Sequence, residues 1–361
     1  MAKHFRPLTI SDIRDETGDC ISVSFHIPDE WKDEFRFRAG QNITIRSIVG
    51  GEEIRRTYSI CSSPFENELR VAIKKMESGK FSSHAHAFFK PAQVLDVLAP
   101  TGNFILPLQH SNKKHYVAFA AGSGITPVIS ILKTVLKEEP LSRFTLVYGN
   151  RDHGSVIFRE VLMALKNSYP ERFQLIPVFS REKMDAPVFE GRIDAGKCEL
   201  IFKQIVPMAP DQEYLLCGPA QMIFEVRDWL LAQKVQEKKI HYELFSDPGQ
   251  SGLVPDKTST IKKETSKEKS LVTIRLDGLS TDYEIPLEGP TILEAAIQGG
   301  ADLPYACRAG VCASCRAKLM EGKVTMEQNY ALAEEELEEG FILACQAHPA
   351  SEKLVIDFDI R

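Results

Sequence analysis

Three cysteines fall within nine residues of the stretch Asp302–Leu319, DLPYACRAGVCASCRAKL, in a 361-residue chain that holds only eight. Cys307 and Cys312 are separated by four residues, Cys312 and Cys315 by two, and Cys345 follows far downstream in ILACQAHP. That C-x4-C-x2-C…C spacing is one by which a [2Fe–2S] cluster is held. Two irons and two sulfides need four soft thiolate donors, three from a loop that wraps the cluster and one from across the fold. Ala306, Ala309, Gly310, Ala313 and Ser314 keep the loop small. Backbone N–H groups can then turn toward the sulfurs, where hydrogen bonds raise the reduction potential. Zinc sites usually pair two C-x2–4-C units, and no second pair stands near Cys345; disulfides are the plainer alternative. The expected metal ligands are Cys307, Cys312, Cys315 and Cys345.

The length suggests two or three domains, and an apolar content of 43% lets each bury a core. A net charge of −6 argues against nucleic acid as a partner. The charge is uneven: from Leu271 onward 7 Lys/Arg stand against 16 Asp/Glu, a net of −9, which leaves +3 on the first 270 residues. MAKHFRPLTISDI shows no signal-peptide pattern, and the longest uncharged run, Tyr116–Leu132, is broken by Gly122, Gly124 and Pro127. No membrane association is expected, and the thiols fit a reducing cytoplasm.

Residues 1–110 read as antiparallel β structure. Ile21, Val23, Phe25 and Ile27 alternate with Ser22, Ser24 and His26, the period of a half-buried strand. QNITIR and LRVAIK repeat the signal, and a closed barrel would remove exposed edges. From 113 to 245 the pattern changes to strands alternating with helices, which implies a parallel sheet. HYVAFAA, FTLVYG, FQLIPVFS, YLLCG and IHYELF are the strands. The helices are the one carrying Val128, Ile131, Leu132, Val135 and Leu136 on one face, then SVIFREVLMALKNS and AQMIFEVRDWLLAQK. Residues 246–270 are rich in Lys, Ser, Thr, Gly and Pro and read as a linker; 25 such residues span on the order of 25–30 Å root-mean-square. The final unit, 271–361, opens with a hairpin-like pair and the helix TILEAAIQGG before the cysteine loop.

Four stretches outside the cysteine loop carry candidate chemistry. In RRTYSICSSP, Arg56 and Tyr58 share one face of a strand and Ser59 lies on the other. They offer a cation for a phosphate, a flat ring for a flavin and a hydrogen-bond donor; a plain barrel strand is the alternative. After the strand that carries Ile73, Gly79, Lys80, Phe81 and Ser82 open a helix whose free N–H groups can seat a pyrophosphate. An ordinary serine cap is the plainer reading there. AGSGITP places Gly122, Gly124 and Thr126 between a strand and a helix, where parallel sheets bind nucleotides, although it is not G-x-G-x-x-G. Cys217, Gly218 and Pro219 end another strand of the same sheet, where a thiol could touch a nicotinamide. Asn150-Arg151 and Ser180-Arg181 follow two further strands, and an arginine there can hold the 2′-phosphate of NADPH. Cys20, Cys61 and Cys198 read as buried structural thiols. The run Glu334–Glu339 reads as a solvated helix face or as a surface that steers a basic partner.

R-T-Y-S at 56–59, G-K-F-S at 79–82, A-G-S-G-I-T-P at 121–127, C-G-P at 217–219 and the four cysteines resemble, in this order, the ferredoxin–NADP reductase superfamily fused to a plant-type ferredoxin. Over nearly the whole chain, FRFRAGQ, EIRRTYSIC, YGNRD, GRIDAGK, GADLPYACRAGVCASCRAKLMEGKVTMEQNY and VIDFDIR resemble the family of reductase subunits of phenylacetyl-CoA epoxidases. The resemblance implies an antiparallel β-barrel flavin domain, a parallel-sheet α/β nicotinamide domain and a β-grasp-like [2Fe–2S] domain. It implies FAD (some relatives take FMN), NADPH as electron donor, and delivery of electrons to di-iron oxygenase subunits in phenylacetate breakdown. Carried across, Arg56, Tyr58, Ser59 and Ile73 would hold the flavin, Gly79 to Ser82 its phosphates, and Gly122, Gly124, Thr126, Asn150, Arg151, Ser180 and Arg181 the dinucleotide. Cys217, Gly218 and Pro219 would meet the nicotinamide, with Tyr58, Ser59 and Cys217 as the catalytic set. The same relay serving a Rieske dioxygenase, a ketosteroid hydroxylase or a lipid desaturase, or a redox sensor without turnover, are alternatives the sequence leaves open.

Overall fold

Alternating apolar residues in the first hundred positions bend into a curved antiparallel sheet. The computed structural model describes residues 4–245 and 268–360. Strands β1 (Phe5–Thr17), β2 (Cys20–His26), β3 (Asn42–Val49), β4 (Glu52–Ser59), β5 (Leu69–Lys74) and β6 (Val94–Thr101) form a six-stranded sheet in the order β4-β3-β6-β1-β2-β5. Two register shifts along β1 let this long strand bend as it pairs with β2 on one side and β6 on the other. The sheet closes where Ile60, just past β4, bridges Val71 of β5 and the Cys61 N–H donates to the Arg70 carbonyl. Helix α1 (Lys80–Phe88) caps the barrel. Leu8, Ile10, Val23, Ile43, Ile45, Val71 and Ile73 fill its interior.

β2 departs from the half-buried pattern: everything but His26 is buried. The serine face is covered by the guanidinium of Arg70, which donates to Ser22 Oγ at 2.8 Å and pairs with Glu68 and Asp12. A buried cation on the neighbouring strand thus replaces water on the polar side.

The second unit is a five-stranded parallel sheet, β11-β10-β7-β8-β9, built from β7 (His115–Ala121), β8 (Arg143–Asn150), β9 (Phe173–Phe179), β10 (Gln212–Cys217) and β11 (Ile240–Glu243). Helices α2 (Ile125–Glu138), α3 (Arg159–Ser168), α4 (Ala195–Gln204) and α5 (Ala220–Ala232) connect the strands, with one apolar core on each face of the sheet. Two sequence expectations change. The helix expected from Ser155 begins at Arg159, because Phe158 adopts a left-handed conformation with φ +60. α4 is an addition between β9 and β10; Asp194 caps it through the Lys197 N–H, and it buries Cys198, Ile201 and Phe202. The barrel rests on α2: Ser130 Oγ donates to the Ser62 carbonyl at 2.6 Å, and the Ser63 and Thr134 hydroxyls lie 3.0 Å apart.

The third unit carries β12 (Lys269–Leu276), β13 (Leu279–Pro286), α6 (Ile292–Gln298), β14 (Arg316–Glu321), β15 (Val324–Met326), α7 (Glu334–Glu338), β16 (Phe341–Leu343), β17 (Ala347–Pro349) and β18 (Lys353–Asp357). Its main sheet runs β13-β12-β18-β14-β16 and its core includes Ile292, Leu293 and Ala296 of α6. β12 begins at Lys269, two residues inside the stretch read as linker. Residues 246–267 of that stretch lie outside the described residues. Among the described residues, no helix is long and apolar enough to cross a membrane.

In the parallel sheet, chain order runs outward from β7 through β8 to β9 and then returns to β10 on the other side of β7. Sheets of this kind bind ligands at the carboxyl ends of the strands flanking such a reversal. Here the loops after β7 and β10 press together: a Cβ on Gly124 would stand 2.1 Å from the Cys217 carbonyl oxygen and 2.4 Å from its carbon. Gly124→Ala must therefore force the loops apart, and overpacking of this kind costs about 1–3 kcal/mol. A thermal or denaturant melt of the flavin-loaded variant is expected to show a loss of that order; parental stability would mean the two loops part freely.

Candidate functional site

The three units meet around one carboxyl group. Ser59 ends β4, Cys217 ends β10 and Glu243 ends β11; Cys217 and Glu243 are register partners on adjacent parallel strands. Ser59 Oγ donates to Glu243 Oε2 at 2.9 Å, and Asn42 Nδ2 approaches Oε1 at 3.5 Å. Thr101 Oγ1 donates to Asn42 Oδ1 at 3.1 Å and fixes that amide. Glu243 is half-buried by surface area, yet its carboxyl is enclosed by packed atoms. Burial pushes its pKa up to about 7, against the pull of the Ser59 and Asn42 hydrogen bonds, and Cys312 of the cysteine loop adds to the rise. Cys217 is fully buried, and burial holds its thiol well above the usual range. Sequence reasoning does not single out Glu243 or Asn42. The available signal was an acidic residue at the end of IHYELF, in a sheet whose strands are otherwise apolar.

On the neighbouring face of β4, Arg56 is exposed and donates to the Arg55 carbonyl, and Tyr58 lies with its ring 5.9 Å from that of Phe81. A cation and an aromatic surface thus stand side by side, which fits a flavin ring and its phosphate. Gly79 precedes α1, whose first-turn N–H groups have no intrahelical acceptors. The side chains there are otherwise engaged. Lys80 pairs with Glu52 at 2.9 Å, and Phe81 is buried. Ser82 Oγ accepts from the Met76 N–H and lies 3.3 Å from the Gly79 carbonyl. An anion at this turn would meet backbone rather than hydroxyl. Ile73 does not join the group: its side chain lies in the barrel core, because the inward face of β5 is the packed one.

Across the switch point a cavity of about 680 Å³ runs between Lys74 and Met76 of the barrel and the carboxyl ends of β7, β8, β9 and β10. Gly122, Asn150, Arg151, Ser180, Arg181, Gly218 and Pro219 all line it. Gly122 has φ +52, and a Cβ there would meet only Lys74 Nζ, at 3.7 Å, so this side of the loop is open. The Asn150 side chain is buried without a hydrogen bond of normal geometry at either polar atom. Arg181 is exposed, and no ion pair holds it among the described residues; the same is true of Arg192 of GRIDAGK, which no local pattern marks. Arg151 is instead engaged by Asp19 at 2.7 Å. Thr126 turns inward, buried, and donates to the Ser123 carbonyl.

The cysteine loop completes the site. The thiols of Cys307 and Cys312 interact, as do those of Cys315 and Cys345, and Cys307 also meets Cys345. The four thiols form one connected group, and four thiolates are what a [2Fe–2S] cluster takes, so the donor set fits it. Arg308, Gly310 and Ala313 all have positive φ, a backbone shape that turns N–H groups inward toward an anionic centre. The Ala309 N–H already points at Cys307 Sγ, 3.3 Å away. Ser314 Oγ lies 3.2 Å from Thr44 Oγ1 of β3, so the loop touches the barrel beside Asn42. Cys20, Cys61 and Cys198 are buried within the cores.

Family models agree with this division. An oxidoreductase FAD-binding domain matches residues 7–105, an oxidoreductase NAD-binding domain 119–228, and a 2Fe-2S iron-sulfur cluster binding domain 274–350. Fold and donor set together define an electron-transfer reductase with FAD-, NAD- and [2Fe–2S]-binding domains. The chain is 40% identical to a subunit of the 1,2-phenylacetyl-CoA epoxidase of Escherichia coli (strain K12), over 99% of this chain and 98% of that one. It is 34% identical to the ferredoxin reductase component of 3-ketosteroid-9-alpha-monooxygenase of Rhodococcus rhodochrous, over 97% and 96%. It belongs to this family of oxygenase reductase components, and it is an oxidoreductase. Phthalate dioxygenase reductase, a solved structure with 24% identity, shares the fold at a TM-score of 0.58 over 98% of both chains.

The Glu243 carboxyl binds its proton more tightly in the folded protein than at its ordinary value of 4.5. Its contribution to stability is therefore complete below that value and is lost as pH rises through about 7. Glu243→Gln keeps a polar partner for Ser59 but does not titrate. Urea unfolding at about pH 5 and about pH 8 is expected to show a smaller fall in stability for the variant than for the parent. Equal falls in both would place the titrating group elsewhere.

Proposed function

We propose that this chain draws electrons from NADPH through FAD and a [2Fe–2S] cluster and delivers them to the di-iron oxygenase subunits of a phenylacetyl-CoA epoxidase, in the cytoplasm. The carrying observation is the 40% identity to the Escherichia coli epoxidase component along the entire chain, with all three cofactor domains in place. Bound FAD supplies acceptance of a hydride and release of single electrons, and the cluster supplies one-electron transfer.

The side chains provide position and polarity. Tyr58 offers its ring to the flavin and Arg56 its charge to a phosphate. Ser59, held by Glu243 at 2.9 Å, presents a hydroxyl, and the Glu243 carboxyl can hold or release a proton near neutral pH at Oε2. Cys217 fills the floor between the AGSG and CGP loops, in register with Glu243. Gly122 and the α1 first turn leave backbone open to phosphates, while Gly218 lines the cavity packed against Met222 and Ala121. Cys307, Cys312, Cys315 and Cys345 hold the cluster. The exposed Arg181 and Arg192 favour the 2′-phosphate of NADPH, while Asn150 offers its amide to the nucleotide. A second reading, the same relay serving a ketosteroid oxygenase, draws on the 34% identity to that reductase component.

Anaerobic addition of NADPH is expected to bleach the flavin and then the cluster absorbance, with cytochrome c or ferricyanide reduced in steady turnover. Reconstitution with oxygenase subunits should support turnover of phenylacetyl-CoA and not of a ketosteroid; the reverse outcome would move the client. Replacing Arg181 and Arg192 with alanine should raise KM for NADPH by about tenfold and leave KM for NADH within about twofold. A parallel rise for both nucleotides would remove the 2′-phosphate assignment.

A further inference from the structure

Arg55 stands beside the R-T-Y-S stretch, yet its side chain turns toward the iron–sulfur unit. It is 6% exposed, and each of its three guanidinium nitrogens donates a hydrogen bond. Nε donates to Glu53 Oε1 at 2.8 Å within the barrel, while Nη2 donates to Asp302 Oδ1 at 2.9 Å and Nη1 to the Leu303 carbonyl at 3.0 Å, across to the iron–sulfur unit. The same plane lies 5.0 Å from the ring centre of Phe5 and 4.2 Å from that of Tyr305. Arg308, one residue past the first cluster cysteine, lies over Tyr305 at 4.6 Å. One cation therefore joins the barrel to the segment DLPY that leads directly into Cys307.

The remaining polar contacts between these units are few and neutral or single-point. His4 meets Asp277 at 2.8 Å, Thr44 meets Ser314 at 3.2 Å within the buried junction, and Asn103 donates to the Ala331 carbonyl at 3.0 Å and to Glu336 Oε2 at 2.5 Å. None of these combines a charge, several hydrogen bonds and aromatic stacking as Arg55 does. Asp302, by contrast, is 74% exposed even with the units together. If the units part, Arg55 keeps Glu53 and Phe5, and Asp302 stays in water as before. Neither side is left as an unpaired buried charge, which would make separation prohibitive. A chain connection alone raises the local concentration of one unit near the other but fixes no orientation. Arg55 fixes it, because bidentate and stacked contacts tolerate one geometry.

Resting on the relay proposed above, we propose that Arg55 is a positioning residue that latches the iron–sulfur unit on the barrel in its electron-receiving pose by clamping Asp302, Leu303 and Tyr305. The latch adds no chemical step: each electron leaving reduced flavin is one gained by the oxidised cluster, and hydride from NADPH replaces electrons in pairs.

The test uses the full chain loaded with flavin and cluster, mixed anaerobically with NADPH in a stopped-flow instrument that follows flavin and cluster absorbance separately. In Arg55→Met the flavin phase is expected within about twofold of the parent and the cluster phase slowed by about tenfold or more. Arg55→Lys, which keeps the charge without the fork, and Asp302→Asn should slow the cluster phase by about threefold to tenfold. Asp302→Asn alters an exposed side chain, so it carries the test if Arg55→Met does not fold. Added salt should slow the parent's cluster phase and leave that of Asp302→Asn nearly unchanged. A cluster phase at the parental rate in both Arg55→Met and Asp302→Asn overturns the latch. If NADPH reduces no cluster even in the parent, the relay itself has failed. Small-angle scattering then judges the latch alone: a larger radius of gyration in Asp302→Asn supports it, and superimposable curves overturn it.

Discussion

An enclosed carboxyl at the junction of three units sets the terms for this architecture. Moving a carboxylate out of water is costly unless donors surround it or it takes up a proton. Glu243 meets that demand with one good hydrogen bond from Ser59, a longer approach from Asn42 and a pKa raised to about 7. The groups involved come from three separate units. Ser59 and Asn42 belong to the barrel, Glu243 closes the parallel sheet, and Cys312, which raises its pKa further, belongs to the cysteine loop. A group so placed registers any change in how these units sit.

The surrounding scaffold explains why the junction can be dry and yet reachable. The reversal of strand order between β7 and β10 creates the crevice, and the lack of a side chain on Gly124 lets its two lips touch. The 680 Å³ cavity then opens to one side, lined by backbone at Gly122 and Gly218 and by arginines at its rim. Polar side chains near the helix starts are spent on the fold itself, as with Ser82, Thr126 and Lys80. What remains available to a ligand there is largely N–H and charge, which suits phosphates.

Charge distribution matches this division of labour. The acidic third unit, at a net of −9, is joined to the mildly basic remainder through a few defined pairs centred on Arg55. Glu336 of α7 pairs with Arg316 at 2.7 Å and accepts from Asn103 of the barrel at 2.5 Å, so part of the acidic run is engaged within this chain. The other glutamates of that run remain on the surface.

The cluster ligands were legible because their chemistry is local: three of four thiols must lie in one short loop, and spacing records that directly. The barrel, the parallel sheet and the glycine loops at its switch point were legible through periodicity and glycine placement. α4 escaped notice because its apolar face is only Cys198, Ile201 and Phe202, too short a stripe to stand out. Ile73 and Thr126 stood beside real motifs, but burial sent their side chains into the cores. The amino-acid order by itself determined three cofactor domains, their succession and the four cysteines, because each rests on contacts within a few dozen residues. Only tertiary structure decided that Glu243 meets Ser59 across 184 residues of chain and that Arg55 grips Asp302 across 247. Neither residue carries a local signature, since what defines it is a partner that folding alone brings near.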